Sequence, residues 1–342
     1  MHKKHYYVII FLLAGFFACK KEVFIEPFIG FYKPAHFPEV AYNLNNNPIT
    51  QDGFELGRKL FYDPILSADN TISCGSCHLQ SNAFTHHGHD VSHGIFDRLG
   101  TRNSPAIMNM AWSKSFMWDG GIVDLDLLPI APITNPVEMD EQMPRVLQKL
   151  RNHQEYPTLF KKVYGTDEIT TSRFLKSLSQ FMLLCISDNA KYDSVQRNQA
   201  VFTTIEQEGF ELFKVKCGNC HKEPLFTDHS FRNNGLSASN VNDKGRFEIT
   251  LNNADKYTFK VPSLRNLGYT SPYMHDGRFI TLDAALEHYN SGVSNLMNLD
   301  PSLQQNGTLG IALITSEKQK IIAFLNTLND RNFVTKKLLA EQ

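Results

Sequence analysis

The chain has 342 residues, a formal net charge of −1 and an apolar share of 42%. A near-neutral balance without lysine clusters offers no case for a nucleic-acid-binding protein. The length sets a prior of about two domains, and 13 His and 25 Phe are compatible with a buried metal or cofactor without establishing one.

The N-terminus opens with the basic stretch MHKKH, followed by the apolar run YYVIIFLLAGFFA and Cys19. Such a run fits the core of a signal peptide, roughly 7–15 residues, and falls short of the about 20 needed to cross a bilayer. Ala18 before Cys19 resembles a lipoprotein cleavage site, so residues 1–19 are expected to direct export, with lipid on Cys19. An ordinary signal peptide or a buried helix are the blander alternatives. Residues 20–47 read as a linker.

The first strong motif is CGSCH at 74–78, and a second, CGNCH, stands at 217–221. Two cysteines and a histidine can hold zinc, form a redox disulfide or attach haem. A zinc site needs a fourth ligand and usually pairs closely spaced knuckles, whereas these motifs lie far apart. Cys-x-x-Cys-His is the attachment signature of c-type haem. On one helical turn, positions i, i+3 and i+4 share a face. Both thiols can then bond one haem while the histidine points at its iron. Cys74, Cys77, Cys217 and Cys220 are therefore expected to carry two covalent haems, with His78 and His221 as iron ligands.

Both motifs share a lead-in, Gly-x-x-Leu-Phe (Gly57, Leu60, Phe61 and Gly209, Leu212, Phe213), which suggests a duplicated helical unit. Between the motifs, residues 80–106 and 119–140 read as loops rich in Asn, Gly and Pro. The segment TTSRFLKSLSQFMLLCISDNAKYD has helical periodicity and closes the first unit. Cys185 within it reads as a buried core thiol. Beyond the second motif, 227–262 is again loop. SEKQKIIAFLNTLND closes the second unit as a helix capped by Ser316. Strand alternation is scarce.

Several long segments in fixed order now resemble the di-haem cytochrome c peroxidase and MauG family. They are LGRKLFYDPILSADNTISCGSCH, TRNSPAIMNMAW, FMWDGG, NPVEM and FKVPSLRNLGYTSPYMHDGRFITLDAALEHYN, together with the paired Cys-x-x-Cys-His. The likeness spans residues 48 to 332. It implies a mainly α fold of two cytochrome c-like haem domains with long loops. Residues 48–195 would form the N-terminal peroxidatic domain and 196–342 the C-terminal electron-transfer domain.

The resemblance also implies roles. Glu138 of NPVEM matches the catalytic acid/base, and Trp118 matches the tryptophan that relays electrons between the haems. Some relatives close the first iron with a histidine after a Ser-x-Gly segment. Here that position is Ile95, which cannot bind iron, so the site is expected to be open unless His86, His87, His89 or His93 swings in. Leu128 replaces a distal glutamine. Tyr289 stands where peroxidases commonly place a methionine ligand to the second iron, and a tyrosine there resembles MauG. His288 and Met274 are rivals. His275 and Arg265 are expected near the haems, on propionates or in the relay. A calcium ion would take the Asn103 side chain and the carbonyls of Thr270 and Pro272.

The implied activity is reduction of hydrogen peroxide with electrons from a small cytochrome c or copper protein. The alternatives are MauG-like oxidation of a partner protein and electron transfer without turnover. Location in the periplasm or outer envelope, and a homodimer, complete the expectation.

Overall fold

The computed structural model describes residues 27–342 apart from 87, 239, 240 and 306. The leader, Cys19 and His87 thus lie outside the described residues. Along the chain run α1 (Gln51–Tyr62), α2 (Cys74–Cys77), α3 (Ile130–Thr134), α4 (Met143–Asn152), α5 (Tyr156–Tyr164), α6 (Thr171–Leu183), α7 (Lys191–Gln196) and α8 (Thr204–Lys216). There follow β1 (Phe231–Arg232), α9 (Phe247–Thr250), β2 (Phe259–Lys260), α10 (Leu282–Glu287), β3 (Gln304–Gln305), β4 (Thr308–Leu309), α11 (Thr315–Asn326) and α12 (Arg331–Thr335). The strands form two short antiparallel ribbons, β1 with β2 and β3 with β4. The fold is mainly helical, as expected.

Two helix crossings organise the molecule, and they repeat each other. The Thr50 hydroxyl caps α1 by accepting from the Gly53 N–H at 3.0 Å. Thr203 and Glu206 form a reciprocal box at the start of α8, where the Glu206 carboxylate accepts from the Thr203 N–H at 2.7 Å. α1 lies across α6, and α8 across α11. At each crossing a glycine lets the backbones touch. A Cβ at Gly57 would stand 1.9 Å from the Ser177 carbonyl oxygen, and one at Gly209 would stand 1.9 Å from that of Lys320. Phe61 then meets Phe181 at 4.7 Å between ring centres, and Phe213 meets Phe324 at 5.0 Å. Each buried Phe contributes about 1.5–3 kcal/mol.

Two boundaries differ from the sequence expectation. The closing helix of the first unit stops at Leu183 rather than running to 193, because Asn109 captures the chain. Its amide accepts from the Ser187 N–H at 2.9 Å and donates to the Ser187 carbonyl at 3.1 Å. The last long helix begins at Thr315, one residue before Ser316, so Ser316 is not its cap. Glu317 reaches back instead and accepts from the Ile314 N–H at 3.0 Å. Cys185 is fully buried, its thiol 3.6 Å from the Phe181 carbonyl.

The apolar core is split. The larger cluster gathers α1, α4, α5 and α6 with the loops between them, and a smaller one gathers α8, α10 and α11. The chain crosses between them at both ends. Tyr192 joins the second cluster, whereas Phe333, Val334 and Leu339 return to the first. Tyr62 and Arg58 secure that return by donating to the carbonyls of Leu339 at 2.8 Å and Leu338 at 2.6 Å.

Candidate active site

Both Cys-x-x-Cys-His motifs open onto one cavity of about 1380 Å³ that reaches through both halves of the fold. In the first motif α2 is a single turn, closed by the His78 N–H on the Cys74 carbonyl at 2.9 Å. The second is a turn at the end of α8, where the His221 N–H meets the Cys217 carbonyl at 3.0 Å. The histidines are held alike. The Phe84 carbonyl lies 2.8 Å from His78 Nδ1, and the Phe226 carbonyl lies 3.0 Å from His221 Nδ1. Both phenylalanines have positive φ, 60° and 55°, which turns their carbonyls onto the rings. An Nδ1 that donates to a carbonyl leaves the Nε2 lone pair for a metal. Burial supports the neutral form, holding His78 down to about 4 and His221 below the usual range.

The thiols suit thioether attachment. All four are free of disulfides. Burial pushes Cys74 and Cys217 up to about 12 and Cys77 to about 11, and Cys220 rises as well. Among the described residues, no group of three or more His, Cys, Asp and Glu side chains converges to hold a metal ion. The residues therefore fit two haems, each held by two thiols and one imidazole, and lack the fourth ligand of a zinc knuckle.

Glu138 lines the cavity with Cys77 and Leu128. Burial raises its carboxyl above the usual range, opposed by a 2.9 Å hydrogen bond from the Asn135 amide. The loop that carries it is braced from outside. Gly94 packs so closely that a Cβ there would stand 2.2 Å from the Val137 carbonyl oxygen, and the Ile95 N–H donates to the Glu138 carbonyl at 2.7 Å. Arg98 donates to the Pro136 carbonyl at 2.6 Å. Ile95 is fully buried and does not line the cavity. His86, His89 and His93 gather in a ring cluster with centres 4.2–5.9 Å apart, also outside the cavity lining.

Trp118 lines the cavity. Its indole N–H donates to the Asn103 carbonyl at 2.8 Å, and its own carbonyl accepts from the Lys260 N–H at 2.7 Å. The Asn103 N–H continues to the His275 carbonyl at 2.7 Å, and the Asn103 amide donates to the Pro272 carbonyl at 2.6 Å. Asn103, Thr270, Pro272 and His275 all line the cavity, and His275 stacks on Phe259 with ring centres 3.7 Å apart.

Tyr289 occupies a π-helical turn, His288–Gly292, that continues α10. Such turns recur at functional sites because they re-aim one side chain. Tyr289 faces the cavity, and burial raises its phenol above the usual range, opposed by Asn234. The Asn234 amide lies 3.5 Å from both the Tyr289 hydroxyl and Met274 Sδ. His288 is turned away, its Nε2 3.0 Å from the Asn234 carbonyl. The three rivals are thus reduced to two that line the cavity.

Arg265 is among the residues that the sequence places near the haems. It is fully buried but does not line the cavity. Nη1 and Nη2 donate to Asp193 at 2.9 and 2.7 Å, and Nε donates to the Pro224 carbonyl at 3.0 Å. Its donors are committed to a carboxylate that no local pattern marks as a partner. Asn234 and Lys260 line the cavity, without a sequence signal that marks either one for it. Asn234 sits in a loop without a motif signal, whereas Lys260 lies inside the quoted FKVPSLRN segment.

The family profile described as di-haem cytochrome c peroxidase matches residues 51–201. The methylamine utilization protein MauG of Methylorubrum extorquens is 33% identical over 301 residues, 85% of this chain and 82% of that protein. The cytochrome c551 peroxidase of Nitrosomonas europaea is 33% identical over 291 residues, 82% of this chain and 81% of that protein. Among solved structures, a MauG-like protein associated with microbial copper homeostasis superposes with a TM-score of 0.81 at 29% identity, covering 90% of this chain and 97% of that one.

Proposed function

The chain belongs to the di-haem cytochrome c peroxidase family, and from that premise we propose how its own residues divide the work. The protein is an oxidoreductase of the cytochrome c peroxidase type, with two c-type haems. When bound, these supply iron that takes up peroxide and exchanges electrons. The observation that carries the reading is a single cavity reached by both thiol pairs, with Glu138 beside the first and Tyr289 beside the second.

Glu138 is the acid/base. Its raised pKa equips it to take a proton from hydrogen peroxide and return it to the departing oxygen, with electrons from a small redox protein completing reduction to water. Trp118 relays electrons, supported by its place in the wall and its fixed indole. The halves before and after residue 195 act as peroxidatic and electron-transfer domains, in keeping with the two core clusters. A calcium ion would be held by the Asn103 side-chain oxygen and the carbonyls of Thr270 and Pro272. Oxygen donors suit a hard cation; the Asn103 amide, whose nitrogen donates to the Pro272 carbonyl, would turn to present its oxygen instead.

Export follows from the leader, as does a lipid anchor on Cys19. Among the described residues no helix is long and apolar enough to cross a membrane. Pairing of two copies rests on the family likeness alone.

A second reading, oxidation of a partner protein's residues, is favoured by Tyr289 at the cavity face where methionine is common in peroxidases. Absorption and EPR of the ferric protein, before and after one equivalent of peroxide without reductant, separate the two. Immediate change of both haem bands, lost in Tyr289→Met, supports the MauG-like reading. A response only after partial reduction supports the conventional peroxidase. Purified protein without haem would overturn both.

A further inference from the structure

Among the described residues, the cations of the cavity wall are paired or face solvent except for one half-buried ammonium. Arg102 is matched by Asp119 and Asp243, and Arg232 by Asp228 and Asp300. Lys216 lies beside the second motif and donates to the Ala312 carbonyl at 3.0 Å, an exposed contact. Lys260 differs. Its Nζ donates to Ser113 Oγ at 3.0 Å and to the Ser115 carbonyl at 2.7 Å, both neutral acceptors, and no carboxylate pairs with it among the described residues. Burial pulls its ammonium down to about 8. The neighbourhood adds no compensation. His229, in the same wall, is held near 4 by burial and by the charges of Lys260 and Lys114, and its Nδ1 is buried without a hydrogen-bond partner. Buried charge is retained when a counter-charge meets it.

We propose that Lys260 anchors a carboxylate carried by the cavity's occupant: a propionate of one of the two haems. This rests on the haem reading above. β2 holds Lys260 in register opposite Phe231, and its N–H is bonded to the Trp118 carbonyl at 2.7 Å. The anchor therefore ties an anionic haem edge to the strand that also fixes Trp118. A free anion such as phosphate or chloride shares this chemistry and would compete for the same ammonium.

The test uses haem-loaded wild type, Lys260→Met and Lys260→Arg. Haem content is read by the pyridine haemochromogen, and midpoint potentials by spectroelectrochemical titration. A cation at a propionate favours the reduced haem. The expected result is two haems in every form, a lower midpoint for one haem in Lys260→Met, restoration in Lys260→Arg, and wild-type midpoints indifferent to phosphate and chloride. Unchanged midpoints in Lys260→Met with both haems present overturn the anchor and leave the peroxidase reading standing. Wild-type midpoints that move with phosphate or chloride, and cease to do so in Lys260→Met, assign the ammonium to a free anion instead. Lys260→Gln gives the same readout if the methionine variant does not fold. Wild type without haem overturns the anchor together with the reading it rests on.

Discussion

Glu138 shows how much one residue's chemistry depends on its surroundings. Burial holds its proton on above the usual glutamate range, so the base form is lost earlier as pH falls. The rate of the peroxide reaction should therefore drop as pH falls through a pKa above the ordinary glutamate value, as followed by stopped-flow absorption. An acid limb at or below that value would reject Glu138 as the base. Glu138→Gln should slow the reaction by about 10²–10⁴-fold with the ferric haem spectrum unchanged. The NPVEM motif made Glu138 legible in the sequence. Its bracing by Gly94, Ile95 and Arg98 was not, because those contacts join stretches that share no pattern.

At the scale of elements, the repeated Gly-x-x-Leu-Phe has a physical cause. Each glycine sits where two helix backbones touch, and each phenylalanine fills the space beside it. Gly57→Ala and Gly209→Ala place a methyl on a carbonyl oxygen, so the helices must separate. Each should destabilise the fold by about 1–3 kcal/mol, measured by denaturant unfolding. Loss in one variant only would mean the two crossings are not equivalent. The helices themselves were readable from periodicity and caps. Their ends were not: α6 stops where Asn109 takes hold of Ser187, an interaction with no trace in the local sequence.

Across the whole molecule, Asp193 joins distant parts of the chain. Arg265 comes to it from the loop after β2, and His36 comes from the segment before α1 with Nε2 at 2.8 Å. Burial opposes the charge, but Arg265 and His36 hold the Asp193 carboxyl below its usual range. Its folded pKa lies below the unfolded value, so its contribution is present above the ordinary aspartate range and is lost as pH falls through the lowered pKa. Arg265→Met removes the bidentate partner of the buried Asp193 carboxylate, leaving His36 and the Ala190 N–H, and should cost about 3–5 kcal/mol. Haem absorption and midpoint potentials should stay as in wild type; a shifted midpoint would return Arg265 to the haems. Calcium is tested at the same scale. A chelator should lower the peroxide rate and added calcium should restore it, and Asn103→Ala should respond to neither.

The two haem-binding motifs, the helical character, the duplication and the family were determined by the sequence itself, because covalent attachment and helix periodicity are local and need fixed spacing. Only the tertiary structure decided what faces the cavity. It kept Tyr289 and Met274 and turned His288 away, gave Arg265 to Asp193, and left Lys260 in the wall without a carboxylate among the described residues. Those outcomes depend on which distant charge or carbonyl arrives first at each donor. Packing settles that across the chain, and spacing along the chain does not encode it.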